Sequence, residues 1–171
     1  MIKRLYILVI VQMVCTLGFT QSSPSLPAYK DPRLSIDIRL SDLLSRMTLE
    51  EKVGQLLCPF GWEMYEIHGN EVCPSGKFKQ LIKERNVGML WATYRADPWT
   101  KKTLANGLNP EMAAKAGNAL QKYVMENTRL GIPMFLAEEA PHGHMAIGAT
   151  VFPTGIGMAA TWSPELVKEV G

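Results

Sequence analysis

The sequence predicts an α/β fold built on parallel strands, and three observations predict it. Two apolar runs, Val87 to Ala92 and Ile132 to Leu136, lack the alternation of a half-exposed strand, which points to strands buried on both faces. Between them, Asn109-Pro110-Glu111 has the look of a helix start, with asparagine at the N-cap and proline at N1, and the helix continues to about Thr128. Polar residues gather just after each apolar run, where parallel sheets present their ligand sites.

Upstream of these elements, the first twenty residues read as a secretory signal peptide. Lys3-Arg4 is a short basic region, Leu5 to Leu17 is almost continuously apolar, and Gly18 and Thr20 are small residues before a cut at Gln21. The run is short for a membrane-spanning helix. Removing this leader takes away two bases and no acid, so the formal charge falls from +2 to zero. That leaves no electrostatic footprint for nucleic acid. The expected location is exported, periplasmic or secreted, with no membrane association after cleavage.

Residues 21–35 are rich in serine and proline and read as an irregular lead-in. Ile36, Leu40, Leu43, Leu44 and Met47 mark one face of a helix. Thr48-Leu49-Glu50-Glu51 is a capping box that starts a second helix at Leu49, expected to run through Leu57 and stop before Pro59. Gly61 to Gly76 reads as a loop carrying Trp62, Tyr65 and His68. Phe78 to Glu84 is a short helix whose Lys77, Lys79, Lys83 and Arg85 form its wet face. After the first apolar strand, Thr93 to Asn109 is a long connection containing Arg95-Ala96-Asp97-Pro98-Trp99, and long loops after strands are more often functional than decorative. Ser163-Pro164-Glu165 starts a last helix only two turns before Gly171, and this end reads as a break within a larger protein.

Cys58 and Cys73 remain after the leader. Pairing would close a loop of about 15 residues worth roughly 3 kcal/mol in the chain-entropy model. The alternative is two unpaired thiols, one buried beside Leu56-Leu57.

The segment after the second strand holds the chemistry-bearing residues. Glu138 and Glu139 are adjacent, so on a persisting strand their side chains point to opposite faces. They do not make the facing carboxylate pair of a glycosidase. One faces the site while the other packs or pairs, or both are solvated loop carboxylates. His142 and His144 flank Gly143, a spacing that fits zinc with a carboxylate, but no third ligand is evident and Gly143 suggests a tight turn. Trp62, Trp91, Trp99 and Trp162 are candidates for stacking on the apolar face of a pyranose, with Trp91 read more simply as core.

Several segments in order resemble the start of glycoside hydrolase family 3. They are Leu43 to Leu56 (LLSRMTLEEKVGQL), Thr128 to Pro133 (TRLGIP), Glu138 to Gly143 (EEAPHG), Gly148 to Pro153 (GATVFP) and Ala160 to Leu166 (ATWSPEL). The resemblance implies a TIM-like (β/α)8 barrel, of which residues 36–171 supply only the first few βα units, followed by an α/β sandwich. It implies an exo-acting retaining β-glycosidase, β-glucosidase-like, acting on β-glycosides or oligosaccharides without metal or organic cofactor. Glu139 falls where the family places a carboxylate that holds hydroxyls of the non-reducing-end sugar, and His142 in the loop that shapes the same subsite. Pro141 departs from the motif, which more often has an aliphatic residue there. From topology, Arg95 and Asp97 are expected to line the pocket. The family's nucleophile motif has no match in this chain, so no catalytic residue is assigned. A full barrel takes about 250 residues, and the expectation is that these 171 alone neither close one nor hydrolyse glycosides. Competing readings are a β-xylosidase on the same scaffold, since Glu139 is one methylene longer than aspartate and crowds a C6 hydroxymethyl; a zinc hydrolase using His142 and His144; and a non-catalytic sugar-binding protein.

Overall fold

A computed structural model describes residues 26–171; the expected signal peptide and residues 21–25 of the lead-in lie outside the described residues. The chain divides into two compact units at Arg46–Met47.

In the first unit, a 3-10 turn (Ala28–Lys30) is joined to helix α1 (Ile36–Arg46). The Tyr29 amide donates to Asp42 Oδ2 at 3.0 Å, and Arg39 Nε donates to the Tyr29 carbonyl at 3.1 Å. Asp42 also pairs with Arg46 one turn on. The Arg46 guanidinium and the Tyr29 amide hold the Asp42 carboxyl below the usual carboxylate range. The helix forms as its periodicity predicts, yet none of its residues is buried.

The second unit begins with α2 (Leu49–Gly54), and both bonds of its capping box are present. Glu51 returns to the Thr48 amide and also accepts from Arg129 Nε at 3.0 Å, tying this helix to the segment after the long helix. The helix is three residues shorter than the sequence suggests, because Gln55 and Leu56 continue only as a turn.

The expected loop 61–76 is instead a β-hairpin. Strands β1 (Tyr65–His68) and β2 (Glu71–Pro74) pair antiparallel, with Ile67 opposite Val72. Its two-residue connection is Gly69-Asn70, and Gly69 sits at φ 61°, where a tight hairpin turn needs glycine. Tyr65 and Val72 face inward and pack with Leu108 and Ala116. Both cysteines are free and exposed, which removes the buried thiol expected beside Leu57.

Helix α3 (Gly76–Arg85) is capped by Ser75, whose side chain accepts from the Phe78 amide, and ends at Asn86 in the left-handed region. Phe78 and Ile82 are buried, while Lys77, Lys79, Lys83 and Arg85 are exposed as expected. Strand β3 (Met89–Trp91) follows, and then α4 (Pro110–Asn127), with Asn109 accepting from the Met112 amide. Strand β4 (Phe135–Ala137) pairs with β3 in parallel, Leu90 opposite Leu136. It starts three residues later than the apolar run. Gln121 takes both main-chain groups of Met134, donating to its carbonyl at 2.6 Å and accepting from its amide at 3.0 Å. The ladder therefore opens at Phe135, whose amide donates to Gly88. On the other edge of β3, Trp91 bonds to Pro59 and Gly61 in a parallel bridge. Three chain segments thus run side by side in parallel, and no sheet closes among the described residues.

Leu90, Leu120, Val124, Phe78, Ile82 and Met134 form the main core, so α3 and α4 cover one face of the strands. The other face is open: Phe135 is 73% exposed. Among the described residues, then, burial is seen on the helix-covered face alone. Alternation along β3 and β4 sends Leu90 and Leu136 to the helices and Trp91 and Phe135 the other way. The chain continues through α5 (Gly155–Ala159), which had no clear sequence signal, and α6 (Pro164–Val170), capped by Ser163. Among the described residues no helix is long and apolar enough to cross a membrane.

Candidate functional site

Parallel pairing puts the carboxyl ends of β3 and β4 together, and the polar residues predicted from sequence follow those ends directly. Ala92, just past β3, has φ 59° and is buried, and its amide bonds to the Ala137 carbonyl at 2.9 Å. A left-handed alanine is costly and is held by its surroundings. It turns the chain so that Tyr94 and Arg95 lie beside the two glutamates.

β4 ends at Ala137, and Glu138 and Glu139 just beyond it take different partners. Glu138 accepts from the Tyr94 amide at 3.0 Å and meets His144 Nε2 at 3.1 Å. Burial and the Glu138 charge raise the Tyr94 hydroxyl above its ordinary pKa, and the same two causes push Tyr65 up to about 12. Glu138 thus pairs and braces the strand ends. Glu139 is the half-exposed member: its Oε2 lies 3.4 Å from Arg95 Nη1, and its side chain is 55% exposed. Its Oε1 has no hydrogen-bond partner among the described residues.

Arg95 is held from behind. Its Nε donates to Asp97 Oδ2 at 2.7 Å. The other Asp97 oxygen accepts from the Thr100 amide at 2.8 Å. Burial alone would raise the Asp97 carboxyl, but the Thr100 amide, Arg95 and the Thr100 hydroxyl outweigh it and hold it below its usual range. The connection 93–109 is therefore ordered around this pair. It is also fastened to the downstream loop, where the Ala96 amide donates to the Met145 carbonyl at 2.8 Å.

His142 sits in that loop. Its Nδ1 is 2.8 Å from the Phe152 carbonyl oxygen, an acceptor only, so Nδ1 carries the proton. The Phe152 amide returns a bond to the His142 carbonyl. Gly143 between the histidines has φ 103°, and a Cβ there would lie 2.2 Å from the Thr150 carbonyl oxygen, so only glycine allows this crossing. The two rings face different partners. Among the described residues no three His, Cys, Asp or Glu side chains gather as a metal site.

The structure thus brings Arg95, Asp97 and Glu139 together and places His142 in the adjoining loop. It also assembles a group the sequence did not foretell. Phe60, Trp62, Trp91 and Trp99 form one aromatic cluster, with Phe60 stacked on Trp62 at 4.6 Å and Trp62 tilted against Trp99 at 4.9 Å between centroids. Trp91 belongs to this cluster rather than to the core. Trp162 stands apart and is 92% exposed. The tryptophans are candidates in the sequence, but the cluster depends on the parallel bridge that lays Pro59 to Gly61 beside Trp91.

Residues 48–171 match the model of the glycosyl hydrolase family 3 N-terminal domain. The chain belongs to this family. It is 33% identical over 91% of its length to a protein provisionally named a beta-xylosidase from Formosa agariphila. It is 31% identical over 85% of its length to beta-glucosidase C of Emericella nidulans, and 28% identical over 79% to a periplasmic beta-glucosidase of Salmonella typhimurium. These matches cover 19%, 22% and 14% of the respective relatives, so the chain spans about a fifth of their length. Within this family-3 chain the mixed α/β architecture carries its clustered polar residues at the carboxyl ends of parallel strands.

Proposed function

We propose that this chain is the N-terminal part of an exported, exo-acting retaining β-glycosidase of β-glucosidase type, and that Glu139 holds hydroxyls of the non-reducing-end sugar. One observation carries the assignment. Glu139 stands at the carboxyl end of a parallel strand with one oxygen on Arg95 and the other unengaged, half exposed. A carboxylate with a free oxygen accepts sugar O–H bonds, and charge-assisted bonds of this kind give orientation as well as affinity.

In this reading Arg95 aims Glu139, Asp97 orients Arg95 from behind, and His142 fixes the loop that borders the sugar. The open face of β3 and β4 lines the interior of a (β/α)8 barrel that further βα units complete. No residue here is proposed as nucleophile or acid/base. The reaction needs no metal or organic cofactor, since one carboxylate attacks the anomeric carbon and another shuttles the proton. Export rests on the leader at residues 1–20 and on the periplasmic names of relatives.

A β-xylosidase is the second reading, favoured by the extra methylene of Glu139 and by the name of one relative. Rates of the complete protein on aryl β-glucoside and aryl β-xyloside separate the two. Faster turnover of the glucoside supports the leading reading. Binding of either monosaccharide without turnover of any β-glycoside overturns the enzymatic reading in favour of a sugar-binding protein.

A further inference from the structure

We propose that Glu138 is a positioning residue of the sugar site: with one oxygen on the loop after β3 and the other on the loop after β4, it sets the place where Arg95 and Glu139 meet. The proposal rests on the reading of Glu139 given above and adds what holds that residue in register.

The two glutamates grip neighbouring residues. Glu138 Oε1 accepts from the Tyr94 amide at 3.0 Å, and Glu139 Oε2 lies 3.4 Å from Arg95 Nη1. The first contact is to main chain and the second to a side chain, so Glu138 fixes the backbone from which Arg95 reaches. The strand ladder does not do this. Its last pair is Trp91 with Ala137. Between that pair and the Tyr94–Glu138 contact, Ala92 and Thr93 have no counterpart beside β4; Ala92 takes φ 59° and Thr93 is fully buried. Where main-chain pairing falls out of step, the Glu138 side chain takes over. The Tyr94 hydroxyl rests against Gly117 of α4, where an added Cβ would lie only 2.5 Å away, so the residue is held at both ends.

The other oxygen closes the brace. Glu138 Oε2 meets His144 Nε2 at 3.1 Å, and because a carboxylate only accepts, Nε2 carries the hydrogen. His144 begins the stretch that runs against Arg95: Arg95 and Ala146 form an antiparallel bridge, and the Ala96 amide donates to the Met145 carbonyl at 2.8 Å. Arg95 is therefore flanked by two segments that Glu138 ties to the end of β4. Burial separates the two carboxylates. The Glu138 side chain is 17% exposed with both oxygens engaged, whereas that of Glu139 is 55% exposed. Hydrogen bonds to a sheltered carboxylate are strong and directional, and a binding group keeps its aim through support of this kind.

The test is a double-mutant cycle on the complete protein, reading kcat/KM for whichever of aryl β-glucoside and aryl β-xyloside wild type turns over faster. Glu138→Ala lowers it about tenfold, as displacement of a substrate-holding group implies. In a Glu139→Ala background the same substitution costs about twofold or less, because Glu138 acts through Glu139. His144→Ala behaves as Glu138→Ala does, and His144→Gln, which keeps a donor for Glu138 Oε2, restores most of the rate. If Glu138→Ala fails to fold by circular dichroism, Glu138→Gln replaces it in the cycle and must show the same dependence on Glu139. Equal fold-losses with and without Glu139 mean that Glu138 acts on the fold or on the substrate by itself; that result, or no loss in either background, overturns the proposal. If wild type cleaves neither glycoside, the reading of the activity fails. The positioning role is then judged by calorimetric titration with glucose and with xylose: binding that Glu138→Ala weakens only while Glu139 is present supports it, and binding indifferent to either residue, or no binding, overturns it.

Discussion

Arg95 reaches across 44 positions of sequence to Glu139, with its Nη1 3.4 Å from Glu139 Oε2. The contact joins the loop after one parallel strand to the end of the next. It turns two separate polar stretches into one site, and several expectations follow from how it is supported.

Asp97 should matter chiefly to stability and aim. Its side chain is 7% exposed and holds Arg95. Asp97→Asn keeps an oxygen for the Thr100 amide but loses the charge, and should cost about 2 kcal/mol at pH 7. Because the folded carboxyl titrates below its ordinary value of 3.8, its contribution is present above that pH and lost as pH falls below it. Denaturant unfolding between pH 6 and pH 2 checks this. Wild type should lose more stability on acidification than Asp97→Asn, and parallel curves would contradict it.

Gly143 should tolerate no side chain. Its φ of 103° and the 2.2 Å approach to Thr150 predict that Gly143→Ala shifts the His142 loop. We expect about 2 kcal/mol or more of lost stability, from strain and the clash together. A reduced melting temperature with lower activity checks it. A variant as stable as wild type would mean that the loop crosses differently.

Metal removal should change nothing. His142 is committed to the Phe152 carbonyl and His144 to Glu138, so the two rings do not converge. Treatment of the complete protein with a strong chelator should leave activity on β-glycosides intact, and elemental analysis should find no stoichiometric zinc. Activity lost to the chelator and restored by zinc would revive the hydrolase built on these histidines.

Local signals carried much of the fold. The capping box at Thr48, the asparagine cap at Asn109 and the serine cap at Ser163 each appear with the expected side-chain bond. These are short-range interactions that neighbouring residues decide. The β1–β2 hairpin replaces the loop expected at Gly61 to Gly76, and its local signal is Gly69-Asn70 between two short alternating runs. The late start of β4 was not legible, since Gln121, on a different element, takes the backbone groups of Met134. The site divides in the same way. The strand ends at Ala137, so the different partners of Glu138 and Glu139 are set by the loop residues they meet, while the neighbourhood of Arg95 and Glu139 follows from parallel topology. The aromatic cluster needed three segments in register, and no single stretch encodes that.

The most direct test of the account is kcat/KM for an aryl β-glucoside, and for the matching β-xyloside, measured on the complete protein and its Glu139→Ala variant. Glu139 is half exposed, so the substitution should leave the fold intact by circular dichroism and thermal melting. The account predicts turnover by wild type and a loss of about a hundredfold in the variant, the size expected when charge-assisted bonds to the reacting sugar are removed. Wild-type turnover that survives the substitution undiminished, or no turnover of either glycoside by the wild-type protein, would contradict it.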